Sequence, residues 1–248
     1  MERITSRKNP KIQHLKKLGA SKSYREECGE FLCDGRKLLE EAVSNGAEVV
    51  TVAYCGEEPD CIPDSAAVVE VTRDIIEYVS VMKTPQDVLF TCRITKREEI
   101  LSSGGKYIVI EEVQDPGNVG TIMRTARAMG YDSVILLPGC ADLYSSKTVR
   151  STMGAIFRQH AFEADIEYLK KLKAAGVTLM GAALADDSVD IRDVKFENFA
   201  VCIGSEGRGL SKDLLELCDK KIIIPMMQEC ESLNAAMAAG IIMWESVR

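Results

Sequence analysis

The chain is expected to fold as an α/β protein: a mainly parallel sheet with helices on both faces, preceded by a small α/β domain. Three observations predict this. From residue 107 onward, apolar runs of strand length alternate with helical runs across short loops. The runs 200–203 and 221–225 each end in a loop rich in small and polar residues, the place where open parallel sheets build ligand crevices. Between the halves, the polar stretch 95–99 and Ser102-Ser103-Gly104-Gly105 interrupt the pattern. The expected division is a first domain over 1–97, a linker over 98–106 and a second domain over 107–248.

Each element has a local reason. Asn9-Pro10 pairs an N-cap residue with proline at the first helical position, and Gly19 supplies a terminating glycine, which predicts a helix over 10–18. Residues 30–34 make a short strand. A helix over 36–45 puts Leu38, Leu39, Ala42 and Val43 on one face and is closed by Gly46. Strands at 48–54, 67–71 and 88–93 with a helix at 73–81 complete the small domain. Strand 107–113 then runs through Gln114-Asp115-Pro116-Gly117 into a helix over 118–129. Val119, Ile122, Met123, Ala126 and Met129 share one face of it. Arg124 and Arg127 fall on the other, with Gly120 one turn before Arg124 and expected to leave space beside the guanidinium. The remaining pattern predicts strands at 133–137, 160–163, 177–181, 199–203 and 221–225, and helices at 145–157, 165–175, 211–218 and 232–246. The last helix lines up Leu233, Met237, Gly240, Ile241 and Trp244 as a stripe for a core or a dimer.

Composition narrows the class. A chain of 248 residues with 28% charged and 46% hydrophobic residues can bury a full core. No apolar run approaches the roughly 20 residues needed to cross a bilayer, and the start Met1-Glu2-Arg3-Ile4-Thr5 lacks the apolar core of a signal peptide, so a cytoplasmic protein is expected. Nine cysteines with no Cys-x-x-Cys pair suggest free thiols in a reducing compartment. With only His14 and His160 available, no metal site is expected.

The net charge of −7 argues against a polyanionic partner until its distribution is considered. Residues 1–25 carry eight Lys/Arg against Glu2 alone, which leaves −14 on the remainder. Arg7, Lys8, Lys11, Lys16 and Lys17 are therefore expected to contact RNA as a basic arm, with a merely solvated helix face as the alternative.

The chemistry concentrates near the C-terminus. Three glycines in Gly204-Ser205-Glu206-Gly207-Arg208-Gly209 let backbone N–H groups approach a ligand. Glu206 is the charged acceptor of that loop, and Ser232 and Asn234 bring a hydroxyl and an amide to a helix start. The chain contains no Gly-x-Ser-x-Gly elbow, no Gly-x-x-x-x-Gly-Lys-Ser/Thr loop and no Gly-x-Gly-x-x-Gly after a strand, which removes support for acyl-enzyme, ATP and dinucleotide chemistry.

Three segments resemble the signature motifs of the SpoU (TrmH-type) RNA ribose 2′-O-methyltransferases of the SPOUT superfamily. They are Asn118-Val119-Gly120-Thr121-Ile122-Met123-Arg124-Thr125-Ala126, Ile203-Gly204-Ser205-Glu206-Gly207-Arg208-Gly209-Leu210-Ser211, and Ile224-Pro225-Met226 with Glu231-Ser232-Leu233-Asn234. Residues 1–95, especially Glu30-Phe31-Leu32-Cys33-Asp34-Gly35-Arg36, are similar to the L30e-like substrate-binding domain of many members. The resemblance implies a C-terminal trefoil knot and an S-adenosylmethionine pocket made around residues 204–234. By motif position Gly204, Ile224 and Leu233 would hold that cofactor, with Met226 alongside. Asn118, Arg124, Glu206, Ser232 and Asn234 match the catalytic or RNA-facing positions. Family members dimerise, so a homodimer is expected. In-line methyl transfer needs no covalent enzyme intermediate, in keeping with the missing nucleophile. A guanidinium is a permanent cation, so Arg124 is expected to anchor charge rather than take a proton. Ribosomal RNA of the large subunit is favoured as substrate, with transfer RNA methylation or a non-catalytic RNA-binding role as alternatives.

Overall fold

The structure, a computed structural model, describes residues 2–95, 104–227 and 232–248. Most of the linker expected over 98–106 and Glu231 of the third motif lie outside the described residues. Contacts divide the chain into two units: Met1–Lys96 with Asp142–Arg158, and Arg97–Ala141 with Gln159–Arg248.

The first unit is built on a five-stranded sheet. Its strands are β1 (Glu2–Ile4), β2 (Glu30–Asp34), β3 (Val49–Tyr54), β4 (Ala67–Val71) and β5 (Val88–Arg93), in the order β1-β4-β3-β5-β2. β1, β4 and β3 run parallel, and β5 is antiparallel to both of its neighbours. Helices α1 (Pro10–Ala20), α2 (Lys22–Cys28), α3 (Arg36–Ser44) and α4 (Arg73–Val79) accompany it. The Asn9 side chain accepts from the Lys11 amide at 2.9 Å, and Pro10 opens α1 as the sequence predicts. Gly19 does not end that helix. An added Cβ there would lie 3.2 Å from Leu32, so this glycine serves the close approach of α1 to β2. The chain turns at Ser21, which caps α2, and stops at the left-handed Gly29.

The basic arm expected over the first 25 residues is not an arm. β1 forms an edge strand on β4, and α1 buries Ile12, Leu15 and Leu18 in the core with Val69, Ile75 and Val79. Its cations are drawn into the unit. Arg7 forks onto the Asp74 carboxylate, holding that group below the usual carboxylate range. The Lys11 ammonium donates to Glu2 at 2.6 Å, and Lys16 donates to the Tyr78 carbonyl. Arg7 and Lys16 lie over the Tyr78 ring and Lys17 over Tyr24. Of the five candidate RNA-contacting residues, only Lys8 has a side chain without a partner among the described residues. Periodicity locates Ile12, Leu15 and Leu18 but cannot show which acids a fold will bring to the charged face.

Residues 142–158, expected as part of the second domain, belong to the first unit. They carry a short helix, Ser146–Ser151, and a 3-10 turn at Ala155–Phe157. The buried Arg25 guanidinium pairs with Asp142 and donates to the Leu18 carbonyl. Tyr144 and Phe157 lie 4.9 and 6.3 Å from the Phe31 ring.

The second unit is a seven-stranded parallel sheet of β6 (Lys106–Ile110), β7 (Ser133–Leu136), β8 (His160–Glu163), β9 (Thr178–Ala182), β10 (Val189–Asp190), β11 (Phe199–Ile203) and β12 (Lys220–Ile223). Its order is β10-β12-β9-β11-β6-β7-β8. Between β6 and β8 come α5 (Pro116–Ala128) and, from the first unit, α6 (Ser146–Ser151); α7 (Ile166–Ala174), α8 (Lys212–Leu217) and α9 (Ala235–Glu245) follow. The helix expected over 145–157 breaks after α6 because Met153 and Gly154 both take positive φ, 49° and 88°. Tyr107, Val109, Ile135, Phe162, Leu169, Leu179 and Cys202 fill one face of the core. From β6 the chain goes first to β7 and β8 on one side, then to β9, β11 and β12 on the other. The switch therefore lies between β6 and β11, and a ligand crevice belongs at their carboxyl ends.

The last helix does not bury the whole of its expected stripe in the core of the unit. Its buried side is Ala235, Ala236, Ala239, Ile242 and Met243, whereas Met237 and Trp244 of the expected stripe are each 59% exposed. A helix apolar all round has no single stripe to locate from sequence.

Candidate active site

The candidate site is assembled from loops at the carboxyl ends of β6, β11 and β12, with its cavity on the β9, β11 and β12 side of the switch. β6 ends at Ile110, paired with Ile203 at the end of β11, and the Glu111 amide continues the ladder by donating to the Ile203 carbonyl at 2.9 Å. Asp115 then caps α5 by accepting from the Asn118 amide at 3.0 Å. A Cβ at Gly117 would come within 2.7 Å of the capping Asp115 oxygen, which explains the glycine.

The loop after β11 closes on itself. Gly209 takes φ +68° and donates to the Ser205 carbonyl at 2.9 Å. A Cβ on Gly204 would lie 2.1 Å from the Gly209 carbonyl, so no larger residue fits at Gly204 without opening the loop. The third loop begins where β12 stops at Ile223, two residues before the predicted end. Ile224, Pro225 and Met226 thus leave the sheet. The final helix starts at Ala235 rather than at 232, because Asn234 is its N-cap and accepts from the Ala236 and Met237 amides at 3.0 and 3.2 Å. Ser232 and Leu233 are left in loop conformation, facing the crevice.

The loops after β11 and β12, with Ala182, Ala183 and Leu184 at the end of β9, enclose a cavity of about 360 Å³, lined also by Ile203, Gly204, Ser205, Glu206, Leu210, Ile224, Met226, Ser232 and Leu233. It falls within the range of small-molecule sites. All four candidate cofactor residues, Gly204, Ile224, Met226 and Leu233, line it, as do Glu206 and Ser232.

At its edge a hydrogen-bond network joins all three loops. The Asn118 side-chain amide donates to Glu206, and the Asn234 amide donates to Asn118 Oδ1 at 3.0 Å and to Glu206 Oε1 at 3.3 Å. The Ala235 amide also donates to Glu206 Oε1 at 3.3 Å, placing the carboxylate at the positive end of α9. Three candidate residues separated by up to 116 positions in the chain are thereby in contact.

Arg124 is not part of that network. It is exposed, absent from the cavity lining, and makes no hydrogen bond or ion pair with any described residue. Gly120 is buried on the packed side of α5, so the open space expected beside the guanidinium is not supplied by that glycine. Arg127 is likewise exposed.

Sequence reasoning missed Glu111 and Ser211. The Glu111 carboxylate accepts from both the amide and the hydroxyl of Ser211, each at 2.7 Å, and so ties the end of β6 to the far end of the glycine loop. Ser211 in turn caps α8 by accepting from Leu214 at 3.3 Å. Glu111 immediately follows a parallel strand, a position rule that could have singled it out. Arg208 and Glu112 form a further pair at 3.7 Å, largely open to solvent. Among the described residues no group of His, Cys, Asp and Glu is placed to hold a metal, and no helix is long and apolar enough to cross a membrane.

Comparison with known proteins gives this geometry its relatives. Residues 9–89 match the MRM3-like substrate binding domain. The chain is 35% identical, over 98% of its length and 98% of the relative's, to the 23S rRNA (guanosine(2553)-2′-O)-methyltransferase RlmP of Bacillus subtilis. It is 32% identical, over 99% of its length and 92% of the relative's, to the 23S rRNA (uridine(2479)-2′-O)-methyltransferase of Streptomyces viridochromogenes. Among solved structures, the AdoMet-bound rRNA methyltransferase of Sinorhizobium meliloti superposes with a TM-score of 0.89 at 29% identity, covering 99% of this chain and 97% of that one. Residues 105–244, which contain the whole cavity and its network, match the SpoU rRNA Methylase family, and the chain belongs to that family.

Proposed function

We propose that the protein is an S-adenosylmethionine-dependent RNA methyltransferase acting on a ribose 2′-hydroxyl of 23S ribosomal RNA. The observation that carries the reading is the Asn118–Glu206–Asn234 network closing one edge of an apolar cavity lined by Gly204, Ile224, Met226 and Leu233. The cavity suits the cofactor. Its walls are largely aliphatic, and Gly204 allows the loop backbone to close over it. When bound there, S-adenosylmethionine supplies an electrophilic methyl group on a sulfonium.

The chain's own residues then have separable tasks. Gly204, Ile224, Met226 and Leu233 hold and exclude water from the cofactor. Glu206 is occupied by three donors, which fits a hub that fixes the Asn118 and Asn234 amides rather than a free base. Ser232, exposed at the cavity, and the two asparagines orient the ribose. Arg124 is unpartnered within the described chain and is therefore available to bind a phosphate and stabilise charge on the 2′-oxygen. RNA contact by the first unit, with the similarity of residues 9–89 to a substrate binding domain as support, completes the division of labour. Arg7, Lys11, Lys16 and Lys17 shape that unit more than they offer free charge.

The reading also includes a knotted passage around 204–234, a cytoplasmic location with the ribosomal RNA, and a homodimer. The exposed Met237 and Trp244 support the dimer, since they put large apolar side chains in water on a monomer. A monomer by light scattering at micromolar concentration would remove it.

The test is transfer of labelled methyl to unmodified 23S ribosomal RNA, with product scored for an alkali-resistant linkage. Arg124→Ala should lower single-turnover rate by on the order of 10²–10³ while cofactor affinity holds. Arg124→Lys should stay impaired because it loses the planar fork. Methylation of transfer RNA alone, or no methylation with RNA binding intact, would replace this reading by one of its alternatives.

A further inference from the structure

The first unit holds a hollow of about 780 Å³ that is separate from the cofactor cavity. Residues from α3 and from 142–158 line it together, so the stretch that leaves the second unit helps to build it. Three of its six charged side chains already have partners. Arg158 pairs with Glu41 at 3.0 Å, and the Asp34 carboxylate accepts from the Ser80 hydroxyl and the Gln86 amide.

Two cations in the lining are not satisfied. Lys37 and Arg150 form no hydrogen bond or ion pair with any described residue. Arg150 is half-buried as a residue, and its guanidinium has no acceptor among the described residues. Lys37 lies in the first turn of α3, which begins at Gly35 without a side-chain cap. One unpartnered carboxylate, Glu40, is also in the lining, and with Asp34 and Glu41 it balances Lys37, Arg150 and Arg158 in formal charge, so the two free cations rather than a net charge mark the hollow. Beside them Met153 stands 62% exposed at a positive φ of 49°, an apolar surface held in an uncommon conformation. Cations beside apolar surface match a nucleotide, with phosphate on the guanidinium and ammonium and the base against the thioether.

We propose that this hollow binds one nucleotide of the substrate RNA, its phosphate held by Arg150 and Lys37; the proposal rests on the reading that the protein acts on RNA. Affinity for an unmodified 23S ribosomal RNA transcript, followed against salt concentration, tests it in the full-length protein. Arg150→Ala and Lys37→Ala should each weaken binding on the order of tenfold and reduce the salt slope by roughly 0.7–0.9, the loss for one phosphate contact. Lys147→Ala, an exposed cation on α6 that does not line the hollow, should change both much less. S-adenosylmethionine affinity should be the same in all four proteins, which shows that the second unit is intact. If Arg150→Ala perturbs folding, the exposed Lys37→Ala carries the test alone. Affinity and slope in Lys37→Ala and Arg150→Ala indistinguishable from those of Lys147→Ala would overturn the proposal. Absence of methyl transfer by the wild type would instead count against the enzymatic reading, whatever the variants do.

Discussion

Asn234 performs two tasks that substitutions can separate. Its Oδ1 caps α9 by accepting from Ala236 and Met237, while its Nδ2 donates to Asn118 and Glu206. Asn234→Ala removes both. Loss of the cap costs about 1 kcal/mol, and for a chain of this size that lowers Tm by roughly 2–4 °C. Asn234→Asp keeps an equally good capping oxygen but deletes the amide donors and sets a second carboxylate against Glu206. A hydrogen bond to a charged group contributes about 1.5–3 kcal/mol, so if the network aligns the ribose in the transition state, turnover should fall roughly ten- to a hundredfold. Asn234 and Glu206 are exposed, so solvent screens the added repulsion; the aspartate variant, which keeps the cap, should lose less Tm than the alanine variant and lie near it in single-turnover methylation. Calorimetric titration with S-adenosylmethionine, run on both, separates loss of cofactor from loss of alignment. Wild-type turnover in Asn234→Asp would refute the catalytic reading of the network. An unchanged Tm in Asn234→Ala would refute the cap.

Other expectations follow from the same geometry. Glu111→Gln replaces one of the two acceptors that hold Ser211 with a donor, and should weaken S-adenosylmethionine about tenfold with little change in single-turnover rate at saturating cofactor; unchanged affinity would mean the glycine loop holds itself. Gly204→Ala forces a Cβ to within 2.1 Å of the Gly209 carbonyl and should abolish cofactor binding while circular dichroism still reports a folded chain; retained binding would show that the loop can open without loss. Burial pushes the Cys140 thiol from its ordinary 9.0 up to about 11. A raised pKa in the folded state contributes stability that is fully present below pH 9 and is lost as pH rises through 11, at no more than about 1.4 kcal/mol per pH unit. Cys140→Ser keeps a donor toward the Ile110 carbonyl but does not titrate there, and should flatten the fall in urea midpoint between pH 9 and 11; an unchanged fall would assign it to other groups such as Tyr131, which burial pushes up to about 12.

The sequence by itself determined the periodic and local features. Alternating apolar runs marked six of the seven strands of the parallel sheet of the second unit, all but β10; Asn9-Pro10 and Gly46 marked helix ends, and the glycines and polar residues after 203 located the crevice. Those signals are short-range, set by spacing along one strand or helix and by what a glycine permits. Tertiary structure alone decided what depends on distant partners. The eight cations of residues 1–25 look like a free arm until Glu2, Glu70, Asp74 and the Tyr78 ring are brought beside several of them. Residues 142–158 belong to the first unit because Arg25 and Phe31 receive Asp142 and Tyr144, a long-range match that no window of sequence contains. The Glu111–Ser211 tie likewise joins positions 100 apart. Helix α9, apolar on every side, shows the limit most plainly: with no polar face to orient it, only packing against the unit chose which residues to bury and left Met237 and Trp244 exposed.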